Sequence, residues 1–269
     1  MSDEKQAKPQ QAGEQTGNIY ARKRVVRKVA PEEKLPFTVH LEELRWRLVY
    51  CMITVGATFA VLYALSEGLF QMVRAPLGAD LVFLAPAEAF FVYLKISFYA
   101  AVFVSMPMIL YQVWEFVAPG LLGAERRYTG YFVVFGTIFF IIGAAFCYFL
   151  VLPFGLKFLI GYGGEGLKPM ISVSEYISFL LLMTLAFGLV FELPIVILFL
   201  VRMGLVTPDW LARQRPYFVV VAFVVGAILT PPDVFSQVVM AVPMLILYEG
   251  SIIAARFMVR AKKKESASG

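Results

Sequence analysis

YISFLLLMTLAFGLVFELPIVILFLV, residues 176–201, is the stretch on which the fold turns. It carries one charge, Glu192, which separates two uncharged runs, 176–191 and 193–201. Joined, they make one membrane span, since a spanning helix needs about 20 mostly apolar residues. The other uncharged runs cover 48–66, 96–114, 128–156, 216–232 and 234–248. With Glu192 read as an intramembrane residue, the chain has six spans, and both termini fall on the same side.

Composition agrees with a membrane protein. Of 269 residues, 60% are hydrophobic and 16% charged, with mean hydropathy +0.76; soluble domains carry roughly 25% charged residues. Backbone polar groups in lipid must be satisfied within the segment, so the spans are helices. Lysine and arginine distribution orients them. Of the 24 basic residues only Arg74, Lys95, Lys157 and Lys168 fall on one side; the rest lie in the N-terminal stretch through Arg47, in loops 119–127 and 202–215, and from Arg256 onward. Both termini are therefore expected in the cytoplasm, and the net charge of +5 reflects topology rather than nucleic-acid binding. Three regions follow: a basic, disordered cytoplasmic tail over 1–35, a six-helix membrane domain over 36–258, and a short basic tail over 259–269. Cys51 and Cys147 both lie in apolar runs and read as small core residues.

Local signals add detail. Pro36 ends the tail, and Thr38 is expected to cap a helix carrying Glu42 and Glu43 early, with Leu41, Leu44 and Leu48 on one face. Glu43 and Arg47 form an i,i+4 pair in the favourable orientation, and Trp46 sits at interface level. In the first outer loop, Gly68–Arg74 reads as a short amphipathic helix stopped before Pro76, and Pro86 opens the next helix. Leu81–Leu84 and Phe90–Phe91 call for burial, so this loop is expected to fold back as a cap. The second outer loop is rich in glycine, with Ser174 as a helix cap. Spans five and six read as a short hairpin that thins the bilayer locally. Pro107, Pro153, Pro194 and Pro243 suggest kinks and a curved bundle.

A few residues could carry function. Glu192 is costly within a membrane and reads either as a partner contact or proton site, or as a neutral acid hydrogen-bonded inside the bundle. Asp233 and Gln237, with Thr230 and Ser236, sit at the outer turn between spans five and six. There Asp233 caps span six, and the cluster offers hydrogen bonds to a partner's transmembrane helix. Glu43 and Glu125 are juxtamembrane carboxylates on the cytoplasmic side. Local salt bridging accounts for each singly. If they converge, they suit a peptide with arginines followed by an apolar segment, because the planar guanidinium pairs bidentately with carboxylate and lysine does not. Catalysis finds little support: His40 is the only histidine, and no nucleophile–base set or nucleotide-binding loop is visible. No cofactor is expected. A proton-coupled small-molecule permease using Glu192 is the alternative, weakened by the lack of an internal repeat.

Across residues 36–260 the sequence resembles the TatC family, the polytopic receptor component of the twin-arginine protein translocase. The resemblance rests on His40–Arg47; Ala75-Pro76-Leu77; Pro107 with Tyr111–Leu121; Glu125-Arg126-Arg127; Phe187-Gly188; Phe191–Pro194; Arg215-Pro216-Tyr217; and Leu229–Gln237, in order against six spans. It implies an all-α integral membrane protein of six kinked transmembrane helices in a cupped, glove-like arrangement in the bacterial inner membrane. It also implies a non-enzymatic role: binding twin-arginine signal peptides of folded precursors and recruiting single-span TatA-like and TatB-like subunits, with self-association in a larger complex. Export would be driven by the proton-motive force. The signal-peptide residues implied are Glu43, Arg45, Phe116, Glu125 and Arg127. The intramembrane and partner-helix residues are Glu192, Thr230, Asp233 and Gln237, and Pro76 is the loop proline.

Overall fold

The structure, a computed structural model, describes residues 37–77, 81–117, 129–161, 170–229 and 234–268. The chain divides into Met1–Leu35 and Pro36–Gly269, and every described residue belongs to the second unit. In chain order the elements are α1 (Phe37–Ala64), α2 (Ser66–Arg74), β1 (Leu81–Val82) and α3 (Glu88–Val117). Then follow α4 (Thr129–Phe146), a π-helical turn (Cys147–Val151), α5 (Leu152–Gly161), β2 (Ile171–Ser172) and α6 (Val173–Val190). The chain continues as α7 (Leu193–Arg202), α8 (Pro208–Arg213), α9 (Arg215–Leu229) and α10 (Val234–Ser268).

Among the described residues, five helical stretches are long and apolar enough to span: His40–Ala64, Glu88–Val117, Gly130–Gly161, Val173–Arg202 and Ser236–Ala261. Arg215–Leu229 is the shorter sixth. Its 15 residues reach about 22 Å at 1.5 Å per residue, short of roughly 30 Å of hydrocarbon. The expected short hairpin is thus half correct, for α10 has 35 residues. Its helix runs past Glu249, whose carboxylate meets Arg215 Nε at 2.6 Å, so this charge does not end the helix.

Span four is continuous as a span but broken as a helix. The backbone turns at Phe191–Glu192 while the Phe191 N–H still donates to the Phe187 carbonyl (3.0 Å) and the Val196 N–H to the Glu192 carbonyl (3.0 Å). Pro194 falls in the first turn of α7, where its missing N–H costs nothing. In span three the π turn immediately precedes α5 and Pro153, the arrangement by which a helix absorbs a residue without a donor. Pro107 and Pro243 lie inside α3 and α10.

Close packing of α4 on α6 depends on two glycines. A methyl group at Gly143 would come within 2.6 Å of the Phe187 carbonyl oxygen, and one at Gly188 within 2.5 Å of the Phe140 ring. Phe140 and Phe187 are fully buried at this seam. A second apolar cluster (Met106, Leu110, Trp114, Phe140, Ile195, Phe199) joins α3, α4 and α7; a third joins α7, α8 and α10 through Ile197, Leu211, Tyr248 and Ile252. α1 has no buried side chain in its membrane window and packs chiefly along α3, where Ser105 Oγ donates to Thr58 Oγ1 at 3.2 Å.

The loop between α2 and α3, expected as the first outer loop, does fold back. β1 pairs in parallel with β2, Leu81 opposite Ile171 and Val82 opposite Ser172. Tyr148 and Tyr176 donate to the Met72 and Val73 carbonyls at 2.6 and 3.0 Å, holding the end of α2, and Leu77 is buried beyond it. Glu88 is the centre of this closure. Its Oε2 accepts from the Leu84 and Ala85 N–H groups (2.6 and 3.3 Å), and its Oε1 from Ser172 Oγ and the Ser174 N–H (2.7 and 2.8 Å). Lys95 Nζ donates to Ser178 Oγ (2.9 Å) and Ser174 Oγ (3.3 Å) one turn below.

Three local expectations are corrected. Ser172 rather than Ser174 caps α6, accepting from the Glu175 N–H at 3.4 Å, because the strand pairing sets the chain direction up to that residue. α1 starts at Phe37, so Thr38 is already helical and Glu42 and Glu43 fall in the second turn. Phe83, Leu84, Phe90 and Phe91 are exposed rather than buried; at the edge of a span such apolar surface finds its partner in lipid.

Candidate functional site

Helical spacing builds a polar cluster where α1 begins and α3 ends. His40, Glu43 and Arg47 recur at three and four residues, so they share one face of α1. Gln112, Glu115 and Phe116 do the same on α3. The two faces meet. Arg47 Nε donates to Glu43 Oε1 at 3.2 Å and Arg47 Nη2 pairs with the same oxygen. Arg47 Nη1 donates to Gln112 Oε1 at 3.3 Å, and Nη2 lies 3.7 Å from Glu115 Oε2. His40 stacks on Phe116 with ring centroids 4.2 Å apart at 13°, its Nδ1 3.9 Å from Glu43 Oε2. Glu43 and Glu115 keep 26% and 21% of their side chains exposed, so the carboxylates remain reachable from solution. Elsewhere on α3, Trp114 stacks on Phe132 of α4 (4.8 Å) and meets Phe199 of α7 edge-on (4.5 Å), which fixes this end of α3 against both helices.

The structure thus brings Glu43 and Phe116 together through His40. Arg45 is exposed, two residues from Arg47 and so turned to the far side of α1. Leu41, Leu44 and Leu48 are exposed as well, an apolar strip beside the cluster. Glu125, Arg127, Thr230 and Asp233 lie outside the described residues. From the sequence, Arg47 reads as a local partner of Glu43, and Arg47, Gln112 and Glu115 fall in motifs that carry the resemblance, but nothing there joins the two motifs. The signal is present as the three- and four-residue spacing of polar groups at the end of an apolar run, but which faces meet depends on helix packing.

Glu192 sits at the break between α6 and α7, 8% exposed, and its Oε1 has no hydrogen-bond partner among the described residues. The carboxylate faces α4: a methyl group at Gly136 would lie 3.0 Å from Oε2 and 3.3 Å from Oε1. Gln237 is committed within the chain, its Nε2 donating to the Phe223 carbonyl of α9 at 2.9 Å, and Gly226 lets α9 approach there. Pro76 is half-buried in the turn after α2. On the side of α1's start, Thr207 caps α8 by accepting from the Trp210 N–H at 3.2 Å, and Gly204 supplies the left-handed turn before it (φ 73°). Tyr248 donates to the Leu211 carbonyl at 2.9 Å and stacks on Phe218 at 3.9 Å, fastening this loop to α10. Among the described residues no group of three or more His, Cys, Asp or Glu could hold a metal ion.

These features define a polytopic α-helical membrane protein with polar groups at the ends of its spans and one buried carboxylate between. Residues 39–243 match the family model TatC, Sec-independent protein translocase protein. A Sec-independent protein translocase protein TatC from Desulforapulum autotrophicum is 45% identical over 241 residues, covering 87% of this chain and 88% of that one. The TatC proteins of Aquifex aeolicus and Escherichia coli K12 are each 40% identical, over 237 and 234 residues, covering 86% and 85% of this chain and 98% and 91% of theirs. A crystal structure of the twin-arginine translocase receptor TatC superposes with a TM-score of 0.74 at 40% identity, covering 81% of this chain and 98% of that one. Another, in the detergent DDM, gives 0.75 at 41%, covering 80% and 99%.

The chain belongs to the TatC family of Sec-independent protein translocase proteins. It is a non-enzymatic, multi-pass membrane component of a twin-arginine translocase, with the six-helix fold of that family. The permease alternative receives no support from these relatives.

Proposed function

We propose that the cluster at the start of α1 and the end of α3 is half of the binding site for twin-arginine signal peptides. The observation that carries this reading is that two partly exposed carboxylates, Glu43 and Glu115, already face a guanidinium, beside an exposed apolar strip. Arginine matches such a site because its fork satisfies two acceptors at once. His40–Phe116 forms one wall. Glu125 and Arg127 from the loop after α3 complete the site, and Arg45, on the far side of α1, meets the peptide outside the Glu43 cluster. Both termini are cytoplasmic and the membrane is the bacterial inner membrane, so the site meets precursors before export.

We propose further that Glu192 within the bundle, with Thr230, Asp233 and Gln237, receives single-span TatA-like and TatB-like helices, for which a buried carboxylate oxygen without a hydrogen bond among the described residues is a ready acceptor. The proton-motive force drives transport, and copies of the chain associate in a larger complex within the lipid.

Photocrosslinkers placed at positions 43, 125, 192 and 233 test both halves. Adducts with a twin-arginine precursor are expected from 43 and 125, and adducts with single-span partners from 192 and 233. Glu125→Ala and Glu43→Gln should each weaken binding of a twin-arginine peptide roughly tenfold, about 1.4 kcal/mol, in folded protein. Unchanged crosslinking and affinity in both variants would refute the site.

A further inference from the structure

The carboxylate best placed to receive an incoming arginine is already taken. Arg47 puts Nε and Nη2 on Glu43 Oε1, Nη1 on Gln112 Oε1 at 3.3 Å, and Nη2 within 3.7 Å of Glu115 Oε2. All three guanidinium nitrogens therefore face oxygen. The contacts are not sealed in the core: the Arg47 side chain is 17% exposed, and its carboxylate partner Glu43 lies beside the His40–Phe116 wall.

We infer that Arg47 is the specificity-determining residue of the site, a resident arginine that the signal peptide's arginine must displace from Glu43. The inference rests on the proposed signal-peptide site. Its consequence follows from counting hydrogen bonds. When a peptide guanidinium replaces the Arg47 guanidinium on Glu43, one charged pair forms as another breaks, while Arg47 keeps Gln112 and Glu115 within reach of the same side chain. A lysine makes only point contacts and cannot replace the fork it evicts. The resident arginine thereby lowers affinity for every peptide and lowers it most for those lacking guanidinium. A side chain that only shaped the pocket would do the reverse, and its loss would weaken binding.

The test uses full-length protein in nanodiscs and a fluorescent peptide carrying either two arginines or two lysines before the same apolar segment. Arg47→Gln should tighten binding of the arginine peptide roughly tenfold and shrink the preference for arginine over lysine. Arg47→Lys should fall between wild type and Arg47→Gln. Weaker or unchanged binding by Arg47→Gln at an unchanged thermal midpoint overturns the inference. If Arg47→Gln does not fold, Arg47→Lys decides: tighter binding supports displacement, and equal or weaker binding refutes it. Glu43→Gln separates this from the underlying reading. If Glu43→Gln binds the arginine peptide as wild type does, the site itself is wrong, and the resident role falls with it. If Glu43→Gln weakens binding while Arg47→Gln also weakens it, the site stands and only the displacement fails.

Discussion

Glu88 and Glu192 are both 8% exposed, yet their surroundings are opposite. Glu88 accepts four hydrogen bonds, two from its own loop and two from the start of α6. Glu192 has an oxygen with no hydrogen-bond partner among the described residues. Buried polar groups are almost always satisfied because an unmade hydrogen bond carries the full desolvation cost. The saturated carboxylate is a fastener, and nothing further can bind it without breaking the closure. The unsaturated one is a standing cost within the folded chain, and on the proposed reading a partner helix offsets it. Burial alone would have ranked them equal, and the count of hydrogen bonds separates them.

The largest effect should come from the fastener. Glu88→Ala removes the shared acceptor of the Leu84, Ala85 and Ser174 N–H groups and of the Ser172 hydroxyl, so β1–β2 pairing and the fold-back of the loop both lose their anchor. Its thermal midpoint, read by tryptophan fluorescence in detergent, should fall further than that of any other substitution at the two carboxylates or the helices around them. Glu88→Gln, with one acceptor oxygen instead of two, should fall less. A midpoint for Glu88→Ala no lower than that of a Glu192 variant would erase the contrast. Next comes the α4–α6 seam. Gly143→Ala places a methyl group 2.6 Å from a backbone oxygen that cannot rotate away, and overpacking of this kind costs about 1–3 kcal/mol. The same assay checks it, with Gly155→Ala, which meets nothing within 4 Å, as the neutral control.

The contrast also marks what the sequence could disclose. Spans are legible because lipid demands uncharged runs. Glu192 is legible as the lone charge within its run. Glu88 is not: it sits at a helix start, where an acid has a local explanation, and its partners Ser172 and Ser174 are more than eighty residues away. The Arg47 cluster is half legible. The pairing with Glu43 follows from i,i+4 spacing, whereas Gln112 and Glu115 come from a packing of α1 on α3 that no local pattern encodes. The length of α10 is hidden because Glu249 reads as a boundary, when Arg215 from the preceding helix neutralises it.

A smaller effect separates the fastener from its helpers. Tyr176 donates a single buried hydrogen bond to the Val73 carbonyl. Tyr176→Phe keeps the ring and loses only that bond, so it should cost about 1 kcal/mol while leaving the loop folded. A midpoint as low as that of Glu88→Ala would place the anchor at the tyrosine instead.

The smallest effect on stability should come from Glu192, and it is the decisive one for the comparison. Glu192→Gln keeps the volume and removes the formal charge at a site where Oε1 has no hydrogen bond to lose. The folded chain should therefore change by less than about 1 kcal/mol. If Glu192 receives a partner helix as proposed, export of a twin-arginine precursor, and crosslinks from neighbouring positions on α7 to single-span partners, should nevertheless drop sharply. Gly136→Ala probes the same pocket by bulk, placing a methyl group 3.0 Å from Oε2. It should impair export with the carboxylate still present. If both variants export normally, the unsatisfied oxygen is only a tolerated defect, and the satisfaction of a buried carboxylate says nothing here about function.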